Sequence, residues 1–175
     1  MTREEHCSKI KEAIEAFKLE GACQSYGLYG SGHINDTFLL ECDKKYILQR
    51  MNKEIFTKPD ELMENVVNVT SYLRKNIIEN GGDPERETLN VVLTKDGKSY
   101  FTDSQGECWR VYDFISGAKT YDLVETPEDF YESAVSFGNF QRLLADFPAE
   151  TLHETIAGFH DTAARFEVFK KAVAD

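Results

Sequence analysis

Tyr29-Gly30-Ser31-Gly32-His33-Ile34-Asn35-Asp36 lies between two runs that read as β-strands, Ser25 to Tyr29 and Thr37 to Cys42. Two glycines flank a serine, so backbone N–H groups of this turn can approach an anion with no Cβ in the way. The turn joins strand to strand, unlike Walker and Rossmann loops, which run from strand into helix. Gly-Ser-Gly is also ordinary hairpin chemistry, and what surrounds the turn decides between the two. If it cradles phosphates, a β-branched residue in place of Gly32 would fill the space they need and resist the positive φ expected there. Asn35 and Asp36 suit a turn held by side chain to backbone hydrogen bonds.

Working outward, a first helix is expected from Thr2, with Glu5 completing a capping box, to about Leu19. Ile10, Ala13, Ile14 and Phe17 form its apolar stripe, and Gly21 offers a stop. A third strand, Lys45 to Met51, follows the tight-turn pair Asp43-Lys44. The spacing of Leu62, Val66, Val69, Leu73 and Ile77 predicts a helix from Pro59 to Glu79, bounded by that proline and by Gly81-Gly82. Leu89 to Thr94 and Lys98 to Thr102 then read as strands of a hairpin turning at Asp96-Gly97, and Glu107 to Ile115 as a last strand. The order implies an α+β layer: a mostly antiparallel sheet of five or more strands, one long helix packed on it, and the glycine turn at an open edge.

Beyond Ile115 the pattern changes. Ser116-Gly117-Ala118 reads as a linker, and the rest is helical. Thr126, Pro127 and Asp129 open a helix whose apolar side, Phe130, Ala134, Phe137, Leu144 and Phe147, runs to Pro148. Another begins at Asp161 or Thr162 and carries Phe166, Val168 and Phe169 toward Asp175, with no cap after it. The expectation is a lobe over 1–117 and, over 118–175, the exit from that lobe and a truncated helical beginning of a second. Exposed apolar helices of that kind favour self-association of the chain.

With 175 residues, 41% of them hydrophobic, the chain suits one domain or little more. A net charge of −11 argues against nucleic-acid binding, and no run approaches the length of a membrane span. Cys7, Cys23, Cys42 and Cys108 are scattered without metal-ligand spacing, which fits a reduced, cytoplasmic protein. No cysteine is followed two residues later by proline, which excludes sulfatase-type chemistry.

Three segments carry a resemblance: the glycine turn, then Tyr46-Ile47-Leu48-Gln49-Arg50, then Asp60-Glu61-Leu62-Met63-Glu64-Asn65. With Trp109-Arg110-Val111-Tyr112-Asp113-Phe114-Ile115, Phe137-Gly138-Asn139-Phe140 and Gly158-Phe159-His160-Asp161-Thr162, the chain resembles the aminoglycoside phosphotransferase and choline kinase superfamily, and within it the N-acetylhexosamine 1-kinases. The resemblance implies a protein-kinase-like small lobe followed by the first helices of a large lobe. It implies ATP and Mg²⁺ as cofactors, with transfer of the γ-phosphoryl to the anomeric hydroxyl of an N-acetylhexosamine. Choline, homoserine or an aminoglycoside are the alternative acceptors, and a non-catalytic nucleotide-binding or interaction module is the alternative of another class.

On that resemblance, Gly30, Ser31, Gly32, His33, Ile34 and Asn35 would cover the phosphates. Gln49 or Arg50 would take the place of the usual lysine, and Glu61 or Glu64 that of its acidic partner; the residues leave both choices open. The backbone from Asp113 to Ile115 would meet the edge of adenine, and His33, Asp36 and His160 would approach the substrate. Both the catalytic loop, His-x-Asp followed by Asn, and the Mg²⁺ ligands are expected beyond Asp175, since neither His153-Glu154 nor His160-Asp161 has the required Asn after it. The chain is therefore expected to bind nucleotide weakly, at about millimolar affinity, and to transfer no phosphoryl group by itself.

Overall fold

Short connections force neighbouring strands to run antiparallel, and the first three strands of the protein obey that rule. A computed structural model describes residues 3–118, 121 and 123–174, with side chains from Ile10 onward. Helix α1 (Arg3–Ala16) precedes strands β1 (Ser25–Leu28), β2 (Asp36–Glu41) and β3 (Lys45–Met51). Helix α2 (Pro59–Glu79) and the single turn α3 (Pro84–Glu87) come next, followed by β4 (Val91–Val92), β5 (Phe101–Thr102) and β6 (Cys108–Asp113). Helices α4 (Pro127–Leu143) and α5 (Thr162–Ala174) complete the order, with a 3₁₀ turn at Ala149–Thr151 between them. The fold is α+β, with a six-stranded antiparallel sheet in the order β1-β2-β3-β6-β4 and β5 also paired to β6.

Alternation along the strands sorts their side chains onto two faces. Phe38, Leu40, Tyr46, Leu48, Trp109 and Val111 lie on one, packed against Ile10 and Ala13 of α1 and against Phe17 just after it. On the other, Met51 and Cys108 meet Leu62 and Met63 of α2. Leu39, Ile47, Gln49 and Arg110 share that second face, outside both packed clusters, and stay half-buried. The long helix has the limits its proline and glycines imply, and Asp60 and Glu61 in its first turn complement its dipole.

The end of the first helix is corrected. The first helix ends at Ala16, not near Leu19, because Phe17 leaves it to bridge Thr94. The Lys18 N–H donates to the Leu93 carbonyl and the Lys95 N–H to that of Ala16, both at 2.9 or 2.8 Å, so sheet pairing outcompetes another helical turn. Gly21, at φ +75°, lies in the connection, where a Cβ would strike the Asp43 carboxylate at 2.3 Å. The expected cap at Thr2 lies outside the described residues.

The hairpin at Asp96-Gly97 turns as expected, the Gly97 N–H meeting the Thr94 carbonyl at 2.9 Å. Its flanks, however, do not pair as a two-stranded ribbon along 89–102. Val91 and Val92 lie beside Tyr112 and Val111, while Phe101 and Thr102 lie beside Trp109 and Cys108. They form one outer strand along β6, interrupted by an excursion that carries the turn.

In the tail, Thr126 and Asp129 form the expected capping box, but α4 stops at Leu143, several residues before Pro148. Its Phe130 and Phe137 are each 68% exposed, and Phe166 and Phe169 of α5 are exposed and stacked on each other at 6.2 Å. The tail is held mainly by α2. Asn65 donates to the His153 carbonyl at 2.8 Å and accepts from its N–H at 2.9 Å, Asn76 donates to the Leu143 carbonyl, and Tyr72 meets Phe147 edge to face. Among the described residues, no helix is long and apolar enough to cross a membrane.

Candidate functional site

The glycine turn is closed at its base by the Tyr29 N–H, which donates to the Thr37 carbonyl at 2.9 Å. Gly30 has φ +80°, whereas Gly32 is absent from the positive-φ glycines; the residue that needs glycine's backbone freedom is therefore Gly30, not Gly32 as the sequence suggests. A Cβ placed on Gly27, Gly30 or Gly32 would meet nothing within 4 Å, so the turn stands clear of the protein. Ser31, His33 and Ile34 are exposed. Asn35 instead faces inward, its Oδ1 accepting the Asn52 N–H at 3.0 Å, and so ties the turn to the end of β3. It serves the turn's architecture.

Register settles the choice between Gln49 and Arg50. Arg50 lies opposite Asp36 and Trp109, on the α1 face, and Gln49 lies opposite Thr37 and Arg110, on the α2 face. Arg50 is consumed by carboxylates: its Nε donates to Asp36 Oδ2 at 2.8 Å, its Nη2 to the same oxygen, and its Nη1 to Glu107 at 3.1 Å. Burial would lower the Arg50 guanidinium, but Asp36 and Glu107 outweigh it and hold it above its ordinary value. Lys53 completes the cluster with Glu107 at 2.7 Å. His33, Asp36, Arg50, Lys53 and Glu107 thus line a polar cavity of about 390 Å³ under the turn.

Gln49 belongs to a different rung. Its Nε2 donates to Thr37 Oγ1 at 3.1 Å, and its Oε1 accepts from Arg110 Nε at 3.1 Å and Nη2 at 3.0 Å. Arg110 also lies over the Tyr112 ring at 5.1 Å and touches the Met63 sulfur at 3.9 Å. It forms no ion pair among the described residues. Burial lowers this guanidinium below its ordinary value and pushes the Tyr112 phenol up to about 12. Glu61 and Glu64 do not reach the rung. Glu61 pairs with Lys58 at 2.7 Å and Glu64 with His153 at 2.8 Å, so neither α2 acid faces a β3 cation.

At the end of β6, the Asp113 carboxylate pairs with Lys44 at 2.8 Å, and its N–H is taken by the Asn90 carbonyl. Phe114 donates to the Lys45 carbonyl, and its ring meets Tyr29 edge to face at 5.6 Å, which brings the exit strand against the base of the glycine turn. Ile115 is half-buried and makes none of these bonds. His160 stands apart in the tail, exposed and stacked edge to face on Phe159, beside Asp161, which caps α5 by accepting the Ala164 N–H at 2.9 Å. The turn, Gln49 and the exit strand share one region of the sheet; His160 is not brought to it.

Sequence reasoning missed Thr37, Glu107 and above all Arg110. The signal for Arg110 was its alternation with Trp109 and Val111, which puts a cation on the face opposite two core residues. Among the described residues, no group of three or more His, Cys, Asp or Glu side chains is arranged to hold a metal ion.

No protein-family model matches the chain. Among solved structures, it is similar to spectinomycin phosphotransferase in complex with ADP and spectinomycin, at 13% sequence identity and a TM-score of 0.39. That likeness covers 59% of this chain and 29% of the phosphotransferase, less than a third of its length. A likeness so partial carries no argument about activity.

Proposed function

We propose that the chain is the ATP-binding part of a small-molecule phosphotransferase, with residues 1–117 as the nucleotide lobe and 118–175 as the start of a second, helical lobe. The observation that carries this reading is a glycine turn with positive φ and no covering side chain, set between two strands beside a rung of hydrogen-bond donors. Phosphates need that combination: N–H groups that can be approached closely, and side-chain donors fixed beforehand. The sequence resemblance supports it independently. On that basis ATP is the nucleotide and a sugar hydroxyl, the anomeric one of an N-acetylhexosamine, is the acceptor.

A second reading is a nucleotide-binding module without transfer chemistry. It is favoured by a specific observation: Gln49 occupies the inward position of β3, and Glu61 and Glu64 are engaged with Lys58 and His153. The 175 residues also contain no His-x-Asp run. Both readings expect these residues to transfer nothing by themselves, so turnover of ATP and N-acetylglucosamine at ordinary kinase rates of ~1–100 s⁻¹ would overturn both by requiring catalytic groups within them.

The test of binding is an ATP titration followed by backbone amide NMR. Shifts clustered at Gly30–Asn35 and Asp113–Ile115 are expected. Shifts confined to α4 and α5, with the turn untouched, would sink the nucleotide reading.

A further inference from the structure

A half-buried arginine without a carboxylate is an unusual use of charge, because even partial burial costs free energy that an ion pair normally offsets. Arg50 and Arg74 show the ordinary solution, the one bound to Asp36 and Glu107, the other to Glu85. Arg110 does not. Its neighbours are the neutral Gln49 amide, the Tyr112 ring and the Met63 sulfur. A guanidinium has more N–H donors than one amide oxygen can accept. Because both recorded bonds to Gln49 go to Oε1, part of the Arg110 fork has no protein oxygen to meet. Nη1 meets only the Met63 sulfur, at 3.9 Å, and the five N–H groups of the guanidinium exceed the three bonds it makes here.

We infer that Arg110 is the phosphate-binding cation of this site, supplied by β6 in place of a lysine on β3. Three features aim it. Gln49 is itself pinned by Thr37 and holds two of the guanidinium nitrogens, so the fork is oriented before any ligand arrives. The Tyr112 ring lies 5.1 Å from the guanidinium carbon and limits where the group can move. Thr37, at the other end of the rung, directly follows the glycine turn and closes its base through Tyr29. Two strand spacings, roughly 10 Å, separate Thr37 from Arg110, a span matched by a polyphosphate lying along the rung. A planar fork of fixed orientation also suits bidentate contact with phosphate oxygens better than a lysine ammonium does. The inference deepens the nucleotide reading and rests on it for the base, though not for the anion.

The experiment titrates the whole chain, as wild type, Arg110→Met and Arg110→Lys, with ATP, adenosine and inorganic tripolyphosphate, and records a thermal melt of each variant. Methionine should pack beside Met63, and with an uncompensated charge removed the Arg110→Met midpoint should equal or exceed that of wild type. Its affinity for ATP and tripolyphosphate should fall roughly tenfold to a hundredfold, the range for a hydrogen bond to a charged group. Adenosine binding should not change, and lysine should restore part of the loss.

Equal binding of ATP and tripolyphosphate by wild type and Arg110→Met would overturn the inference while leaving the nucleotide reading intact. Tripolyphosphate binding that depends on Arg110, with no adenosine affinity, would uphold the inference and overturn the reading. Failure of wild type to bind any of the three would overturn both. A melt lowered by methionine and restored by lysine would make Arg110 a structural residue and overturn the inference.

Discussion

Gly30 and Gly32 differ in one backbone angle, and that angle divides their roles. Gly30 holds φ +80°, a region that costs a side chain about 1–2 kcal/mol, so Gly30→Ala should lower stability by about 1 kcal/mol in a urea titration. Gly32→Ala should change it by less than about 0.5 kcal/mol, since its φ is ordinary and a Cβ there meets nothing. Glu107 sets a pH dependence at the same scale. Burial alone would raise its carboxyl, but Lys53 and Arg50 outweigh burial and hold it below the ordinary 4.5. A depressed folded-state value means that its contribution is complete above 4.5 and disappears as pH falls through the folded value. Glu107→Gln should cost about 2 kcal/mol at neutral pH and flatten the stability profile below pH 4.5, which denaturant melts across pH 3 to 7 would measure. None of this was readable from residue types alone. Gln49, Arg50 and Arg110 change meaning with the face they occupy, and faces follow from pairing register, which a single strand does not encode.

Among the elements, α2 was the most legible because its punctuation is local: Pro59 starts it, Gly81-Gly82 follows it, and the apolar spacing between them is regular. The end of α1 and the 89–102 segment were not, for a shared reason. Turn chemistry at Asp96-Gly97 specifies where the chain reverses but not which strand accepts its flanks, and β6 takes both. Nothing near Phe17 announces a bridge to Thr94, far along the chain. The α2 helix also carries the tail, and Asn65 is the central attachment because its amide both gives to and takes from the backbone of His153. Asn65→Ala should leave the sheet folded and loosen residues 143–153. Hydrogen exchange should then quicken in that segment by roughly tenfold, the effect of about 1.4 kcal/mol, while β2, β3 and β6 keep their protection. Uniform loss of protection would show instead that the two parts unfold together.

For the whole molecule, charge and exposed apolar surface act against each other. A net charge of −11 keeps copies apart, while Phe130, Phe137, Phe166 and Phe169 present large exposed rings on α4 and α5. Salt weakens the first influence and not the second. Sedimentation at high protein concentration should therefore give a mass near 20.0 kDa in low salt and a larger weight-average mass at 0.5 M salt. A mass that falls or stays constant with added salt would show that these rings do not drive association.

The far-reaching attachments of α1 bear on how the protein is made. Glu12 receives both the N–H and the hydroxyl of Ser104, at a separation of 92 residues, and the bridge from Phe17 also waits for Thr94. At ribosomal speeds of about 5–20 residues per second, the opening segment emerges roughly five to twenty seconds before its last anchor has been synthesised. Through that interval Ile10, Ala13 and Phe17 lack their finished seat on the sheet. The newborn chain leaves them uncovered meanwhile, so slower translation lengthens the time for which this apolar segment is exposed before its seat exists.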